Sequence, residues 1–124
     1  MFKAKTLLLC FILFILLGIA SSPAVSNAGS SCPWRGRWSG IVLYEHANFT
    51  GRTLILRYGY YASDLSRYGF NDVVSSVCVY GPYRFLVCEH ANFQGRCSIF
   101  TGSDPYLGDN AVGNDRASSV IWAR

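Results

Sequence analysis

Two blocks of this sequence occur twice, in the same order. Glu45-His-Ala-Asn-Phe-Thr-Gly-Arg52 returns 44 positions later as Glu89-His-Ala-Asn-Phe-Gln-Gly-Arg96, and Asn71-Asp-Val-Val-Ser-Ser-Val77 returns 43 positions later as Asn114-Asp-Arg-Ala-Ser-Ser-Val120. Such spacing marks the duplication of a unit of about forty residues. A unit that short buries too little apolar surface to fold alone, so the two copies are expected to share one core. The punctuation of each copy is that of a β-protein. Residues 41–44, 53–56, 73–80, 83–87 and 118–122 are short runs rich in β-branched and aromatic side chains, separated by Gly, Asn, Asp and Ser. No sustained helical period is present, and residues 62–68 are predicted to reach a single helical turn at most. Gly81-Pro82 makes a short joint between the copies. The expected fold class is all-β: a sandwich of two repeats, each of about four short strands.

The N-terminus reads as a leader. Lys3 and Lys5 precede an uncharged apolar run from Thr6 to Ala20, and small polar residues follow. Ser26 and Ala28 place cleavage after Ala28, with Ala20 as the second choice. The fifteen residues of the run fall short of the roughly 20 needed to cross a bilayer. Residues 1–28 are therefore expected to be a signal peptide, and the product to be secreted without a membrane span. Removal of the two lysines leaves nine Arg against seven acidic residues, so the net charge falls from +4 to +2. With no Lys/Arg cluster, the mature chain lacks a nucleic-acid footprint. Residues 29–39 are read as a tail with Gly, Ser and Pro; from Gly29 to about Arg37 it is expected to pair with no sheet beyond its disulfide tether, while Trp34 and Trp38 pack partly against the domain.

Cys10 leaves with the leader, and Leu8-Leu9 before it argue against lipoprotein processing. Cys32, Cys78, Cys88 and Cys97 remain, an even count that reads as two disulfides with three possible connectivities. No Cys-x-x-Cys pair suggests zinc. Cys88 and Cys97 flank the hairpin of residues 89–96, which puts them on adjacent strands and leaves Cys32 to pair with Cys78.

The first repeated block is read mechanically: Gly51 and Gly95 let a hairpin fold back, and Phe49 and Phe93 pack over it. His46 and His90 stand singly, one per loop, and are read as surface residues rather than metal ligands. The second block carries chemistry. Asn-Asp-x-x-Ser-Ser crowds amide, carboxylate and hydroxyl oxygens where the chain enters a strand, and hard cations such as calcium take six to eight oxygens. Asx-turns alone would explain one copy. Two symmetric copies, with repeated Glu45 and Glu89, favour calcium.

Tyr44-x4-Phe49-x-Gly51 with Asn71-Asp72-x-x-Ser75-Ser76, followed by Phe93-x-Gly95 with Asn114-Asp115-x-x-Ser118-Ser119, resembles the βγ-crystallin superfamily, specifically its secreted or microbial calcium-binding members. The resemblance covers residues 40–124 and implies one Greek key over about 40–81 and a second over about 82–124. The departure is Cys88, where the second motif ordinarily opens with an aromatic, and a disulfide there is expected to replace aromatic packing. The resemblance further implies two calcium ions held crosswise. The carbonyl of Val73 and hydroxyl of Ser75 would join the Asp115 carboxylate; the carbonyl of Arg116 and hydroxyl of Ser118 would join Asp72. Glu45 and Glu89 would complete the sites through loop oxygens. Asn71 and Asn114 would hold loop shape, and Ser76 and Ser119 would bond backbone.

No nucleophile, base or acid-base pair sits in a recognisable catalytic order, so an enzyme is not expected. The same pattern also resembles small secreted peptidase inhibitors on this fold, which would present a rigid loop such as residues 57–61 or 104–109 to a protease. An antimicrobial or pore-forming role is a third class. Expected partners are calcium ions, with a protease or an extracellular matrix or envelope component as alternatives, and the chain is expected to be monomeric. Fold alone does not choose among these.

Overall fold

The computed structural model describes residues 32–34 and 36–124, so the expected signal peptide and its cleavage site lie outside the described residues. Seven strands follow in chain order: β1 (Gly40–His46), β2 (Thr50–Arg57), β3 (Ser76–Tyr80), β4 (Arg84–His90), β5 (Gln94–Phe100), β6 (Ser103–Asp104) and β7 (Ser119–Ala123). They form two antiparallel sheets, β2-β1-β3-β6 and β5-β4-β7. The assignment is not one repeat per sheet. β6 of the second repeat pairs with β3 of the first, at Val77↔Asp104 and Cys78↔Ser103. In return, Ala62 of the first repeat bridges Val120 of β7, each N–H donating to the other's carbonyl at 2.8 and 2.9 Å. This exchange is the crossing step of a Greek key, and it brings the two repeated oxygen-rich loops side by side.

Alternation along the strands builds the core. On β1, Ile41 and Leu43 face the other sheet, where Phe85, Val87 and Val120 meet them, and Val79 of β3 joins the same cluster. Val42 and Tyr44 point to the outer face and are buried too, with Phe49 and Cys78, under Cys32, Trp38 and Tyr80. The Cys32–Cys78 disulfide and the stacking of Trp38 on Tyr80, at 4.7 Å between centroids, fasten the tail to that face. Within the tail, residues 32–34 and 36–39 lie outside any strand. Trp34 is exposed, and its backbone N–H donates to the Tyr80 hydroxyl at 3.2 Å. Leu65 and Leu107, both 0% exposed, sit in short 3-10 turns at equivalent places in the two repeats. Burying each supplies roughly 1.5–3 kcal/mol of transfer free energy, which anchors the chain beside the second repeated block.

Several element boundaries differ from the sequence expectation. The run expected over 73–80 begins its pairing at Ser76, because Asp72 takes a left-handed conformation (φ 56°) and residues 73–75 are spent turning into the strand. The run over 118–122 likewise starts at Ser119 and continues to Ala123. β5 was expected only as the strand that carries Cys97, with no run assigned to it; it is the second-copy counterpart of β2. Glu45, His46, Glu89 and His90 are strand ends rather than loop residues, carried on β1 and β4 past a register shift before the hairpin.

Candidate metal centre

Each hairpin folds back over its own sheet. Asn48 and Phe49 (φ 58° and 59°) and Asn92 and Phe93 (φ 59° and 62°) take consecutive left-handed conformations, which are uncommon and strained for a bulky residue such as Phe. A serine hydroxyl holds each pair. Ser76 Oγ accepts from the Phe49 N–H at 3.0 Å and donates to the His46 carbonyl at 2.6 Å. Ser119 does the same for Phe93 and His90, at 3.0 and 2.6 Å. Gly51 and Gly95 are required by close approach as well as by φ: a Cβ at either would lie 2.6 Å from the Cδ2 of His46 or His90. In the first copy Phe49 packs edge-on to Tyr44 at 5.7 Å. In the second, the Cys88–Cys97 disulfide occupies the cross-strand position equivalent to Tyr44 and Thr53, and Phe93 turns to Tyr61.

The folded hairpins leave strand-end carbonyls facing the Asn-Asp-x-x-Ser-Ser loops. Asp72 and Asp115 (φ 56° and 54°) both use the left-handed region, which Asp tolerates better than most residues. Their backbones cross over: the Asp72 N–H donates to Ala117 at 3.0 Å and the Asp115 N–H to Val74 at 3.0 Å. Each aspartate is thereby delivered to the other repeat's serine.

Ser75 Oγ lies 2.8 Å from Asp115 Oδ1 and 2.9 Å from the Glu45 carbonyl. A hydroxyl carries one hydrogen, so it cannot satisfy both acceptors together. Three oxygens thus converge with a single proton among them, an electron-rich arrangement that a hard cation fits. The equivalent contact between Ser118 Oγ and Asp72 Oδ1 is longer, at 3.4 Å. Glu45, His46, Asp72, Val73, Ser75 and Asp115 line the first pocket, of about 190 Å³. Asp72, Glu89, His90, Asp115, Arg116 and Ser118 line the second, of about 290 Å³. All eight residues expected to hold cations therefore border at least one of two adjacent pockets, and Asp72 and Asp115 border both. Among the described residues no three His, Cys, Asp or Glu side chains converge, and the donors are a mixture of hydroxyl, carbonyl and carboxylate oxygen. Such a set suits calcium or magnesium far better than zinc.

The glutamates act differently from each other. Arg52 spans both carboxylate oxygens of Glu45, Nε to Oε2 at 3.1 Å and Nη2 to Oε1 at 3.3 Å, and its backbone N–H adds a bond at 3.2 Å. These bonds, the side-chain ones first, hold the Glu45 carboxyl below the usual glutamate range. The oxygen that Glu45 turns toward Ser75 is its carbonyl. Glu89 receives the backbone N–H of Arg96 at 3.3 Å, and its Oε1 faces Arg116 Nη1 at 3.9 Å. Sequence reasoning named Arg116 for its carbonyl alone and missed the guanidinium contacts of both arginines. Arg52 had a signal, since it closes the repeated block beginning at Glu45; Arg116 had one too, as the charged residue standing where the first copy has Val73.

The Beta/Gamma crystallin family model matches residues 40–120. Among curated proteins, the chain is 35% identical over 70 residues to Gamma-crystallin 1 of Rana temporaria, covering 53% of each, so it spans about half the length of that frog protein. Among solved structures it is similar to a βγ-crystallin from Ciona intestinalis, with 35% identity, a TM-score of 0.61, and coverage of 68% of this chain and 99% of that one. A βγ-crystallin domain from Clostridium beijerinckii matches at 30% identity with a TM-score of 0.58, over 67% of this chain and 95% of that one. Two exchanged Greek-key repeats, the duplicated hairpins and the family match over nearly all the described residues agree: the chain belongs to the βγ-crystallin family.

Proposed function

We propose that this chain is an exported, non-catalytic domain whose two pockets each bind calcium, and that the bound ions stabilise the fold. The observation that carries the reading is the cluster at Ser75, where one hydroxyl proton is shared between the Asp115 carboxylate and the Glu45 carbonyl. In the first site the ligands are the Val73 carbonyl, Ser75 Oγ, the Asp115 carboxylate and the Glu45 carbonyl. In the second they are the Arg116 carbonyl, Ser118 Oγ, the Asp72 carboxylate and an oxygen of Glu89. Calcium there supplies positive charge to oxygens that otherwise repel one another, and no reaction. The serines face carboxylate and carbonyl oxygens rather than a histidine base, which supports a structural role.

One or two carboxylates per site give micromolar to millimolar dissociation constants by comparison with other calcium sites, a range matched to extracellular fluid. The leader pattern of residues 1–28 and two disulfides support export to an oxidising compartment. An ion that binds only the folded state stabilises it by about 2.7 kcal/mol at a hundredfold excess over its Kd. Thermal unfolding in chelator and in millimolar calcium tests the proposal. A higher melting temperature in calcium is expected, and an unchanged one overturns it.

A further inference from the structure

We propose that Arg116 is a tethered cation competing for the second pocket, so that the two sites fill unequally and the Ser75 site fills first; this rests on the calcium reading above. The backbone frames of the two sites match. Ser75 donates its N–H to Tyr44 at 2.9 Å and Ser118 donates to Cys88 at 2.8 Å, and the two aspartates share one conformation and one reciprocal pairing. The difference lies one residue after each aspartate, where Val73 in the first loop is replaced by Arg116 in the second.

That replacement changes where the positive charge sits. In the first site Arg52 neutralises Glu45 across the hairpin and is not among the pocket-lining residues. In the second, Arg96 reaches Glu89 through its backbone N–H, and the guanidinium nearest Glu89 is that of Arg116, which lines the pocket itself. An entering divalent ion therefore meets a like charge and must compete with it for Glu89. The looser Ser118–Asp72 contact, 3.4 Å against 2.8 Å for Ser75–Asp115, leaves the second frame less closely drawn together before binding. The Arg116 side chain is 62% exposed, so it can swing into water. Solvent screening then makes it a competitor that weakens the site rather than one that closes it. The consequence is graded loading: one ion held at low calcium, the second taken up and released as calcium rises and falls.

Calorimetric calcium titration of the folded, disulfide-bonded chain tests this. The wild type is expected to show two unequal steps, with Ser118→Ala abolishing the weaker and Ser75→Ala the tighter. Arg116→Val should tighten the weaker step about tenfold, equivalent to about 1.4 kcal/mol. Arg116→Gln should do nearly the same, since it too removes the charge, while Val73→Arg should weaken the tighter step. Melting temperatures in chelator close to wild type verify that the frames survive. Two equal steps in the wild type, or a weaker step that Arg116→Val leaves unmoved, overturn the inference while the calcium reading stands. Tightening by Arg116→Val but not by Arg116→Gln also overturns it, by showing bulk rather than charge at work. No binding by wild type or variants removes the calcium reading, and the inference with it.

Discussion

The hydroxyl of Ser75 lies 2.8 Å from the carboxylate of Asp115, a residue 40 positions away in the other repeat. Its counterpart links Ser118 to Asp72 across 46 positions. Each aspartate therefore reaches the other repeat's serine. Asp115→Ala should mainly weaken the Ser75 site and Asp72→Ala the Ser118 site, each by at least about tenfold, or about 1.4 kcal/mol. Calorimetry on the single variants reads which step is lost. The double variant should keep a β-type circular dichroism spectrum, because both aspartates are exposed and outside the core, yet lose any melting shift with calcium.

Ser76 and Ser119 should prove costlier to remove than their small size suggests. Ser76→Ala strips one bond from the Phe49 N–H and one from the His46 carbonyl, in a hairpin already bent through two left-handed residues. A destabilisation of about 1–3 kcal/mol is expected in urea unfolding. Ser119→Ala should cost less, since the Cys88–Cys97 bridge ties the strands of the second hairpin together independently.

How far the sequence discloses this arrangement depends on which residues are asked. The repeated Asn-Asp-x-x-Ser-Ser blocks are visible because four chemically specific positions recur at fixed spacing, and the pockets form where those blocks lie. The disulfides were legible from the hairpin between Cys88 and Cys97. The exchange of β6 and Ala62 was not, because two-residue and single-residue pairings leave no alternating run to recognise. Nor was the start of β3: Val73 and Val74 look like strand residues, and only the left-handed turn at Asp72 excludes Val73 from the ladder. The different partners of Glu45 and Glu89 depend on side-chain reach, which identical blocks cannot reveal.

Tyr44 offers an alkaline test. It is 2% exposed, and burial pushes its phenol up to about 12 from 10.0; nearby Tyr80 adds to the shift, yet the Tyr44 hydroxyl makes no hydrogen bond among the described residues. The neutral form is thus favoured in the folded state. Ionisation of this group therefore leaves stability untouched below pH 10 and lowers it as pH rises from 10 toward 12, because the unfolded chain gives up the proton first. Tyr44→Phe should remove a buried unsatisfied group, stabilise by about 1 kcal/mol at neutral pH, and flatten that alkaline loss in pH-dependent denaturation.

At the acid end Glu45 behaves in the opposite sense. Its carboxyl is lowered from 4.5 by Arg52, so its contribution is present above that value and is lost as pH falls through the lowered one. Arg52→Met should return the Glu45 titration to the ordinary range, measurable by carboxyl-carbon NMR. An unshifted Glu45 in the wild type would contradict the pairing.

The two disulfides differ in the length of chain they close, 46 residues of separation for Cys32–Cys78 and 9 for Cys88–Cys97. Chain-entropy arguments assign the longer loop about 4 kcal/mol and the shorter about 3 kcal/mol. Replacing Cys32 and Cys78 together by Ala should therefore lower stability more than replacing Cys88 and Cys97, in guanidinium unfolding under non-reducing conditions.

The swap of β6 for Ala62 bears on what a protease could achieve at the Gly81-Pro82 joint. Cys32–Cys78 lies wholly before that joint and Cys88–Cys97 wholly after it, so neither disulfide spans it. A nick there would leave two peptides with no covalent link, gripping each other through a borrowed strand, a borrowed bridge, the crosswise aspartate contacts and a common interior. Neither peptide could leave without uncovering the other's apolar face, so the nicked molecule is a heterodimer in all but origin, and its halves must denature in order to part.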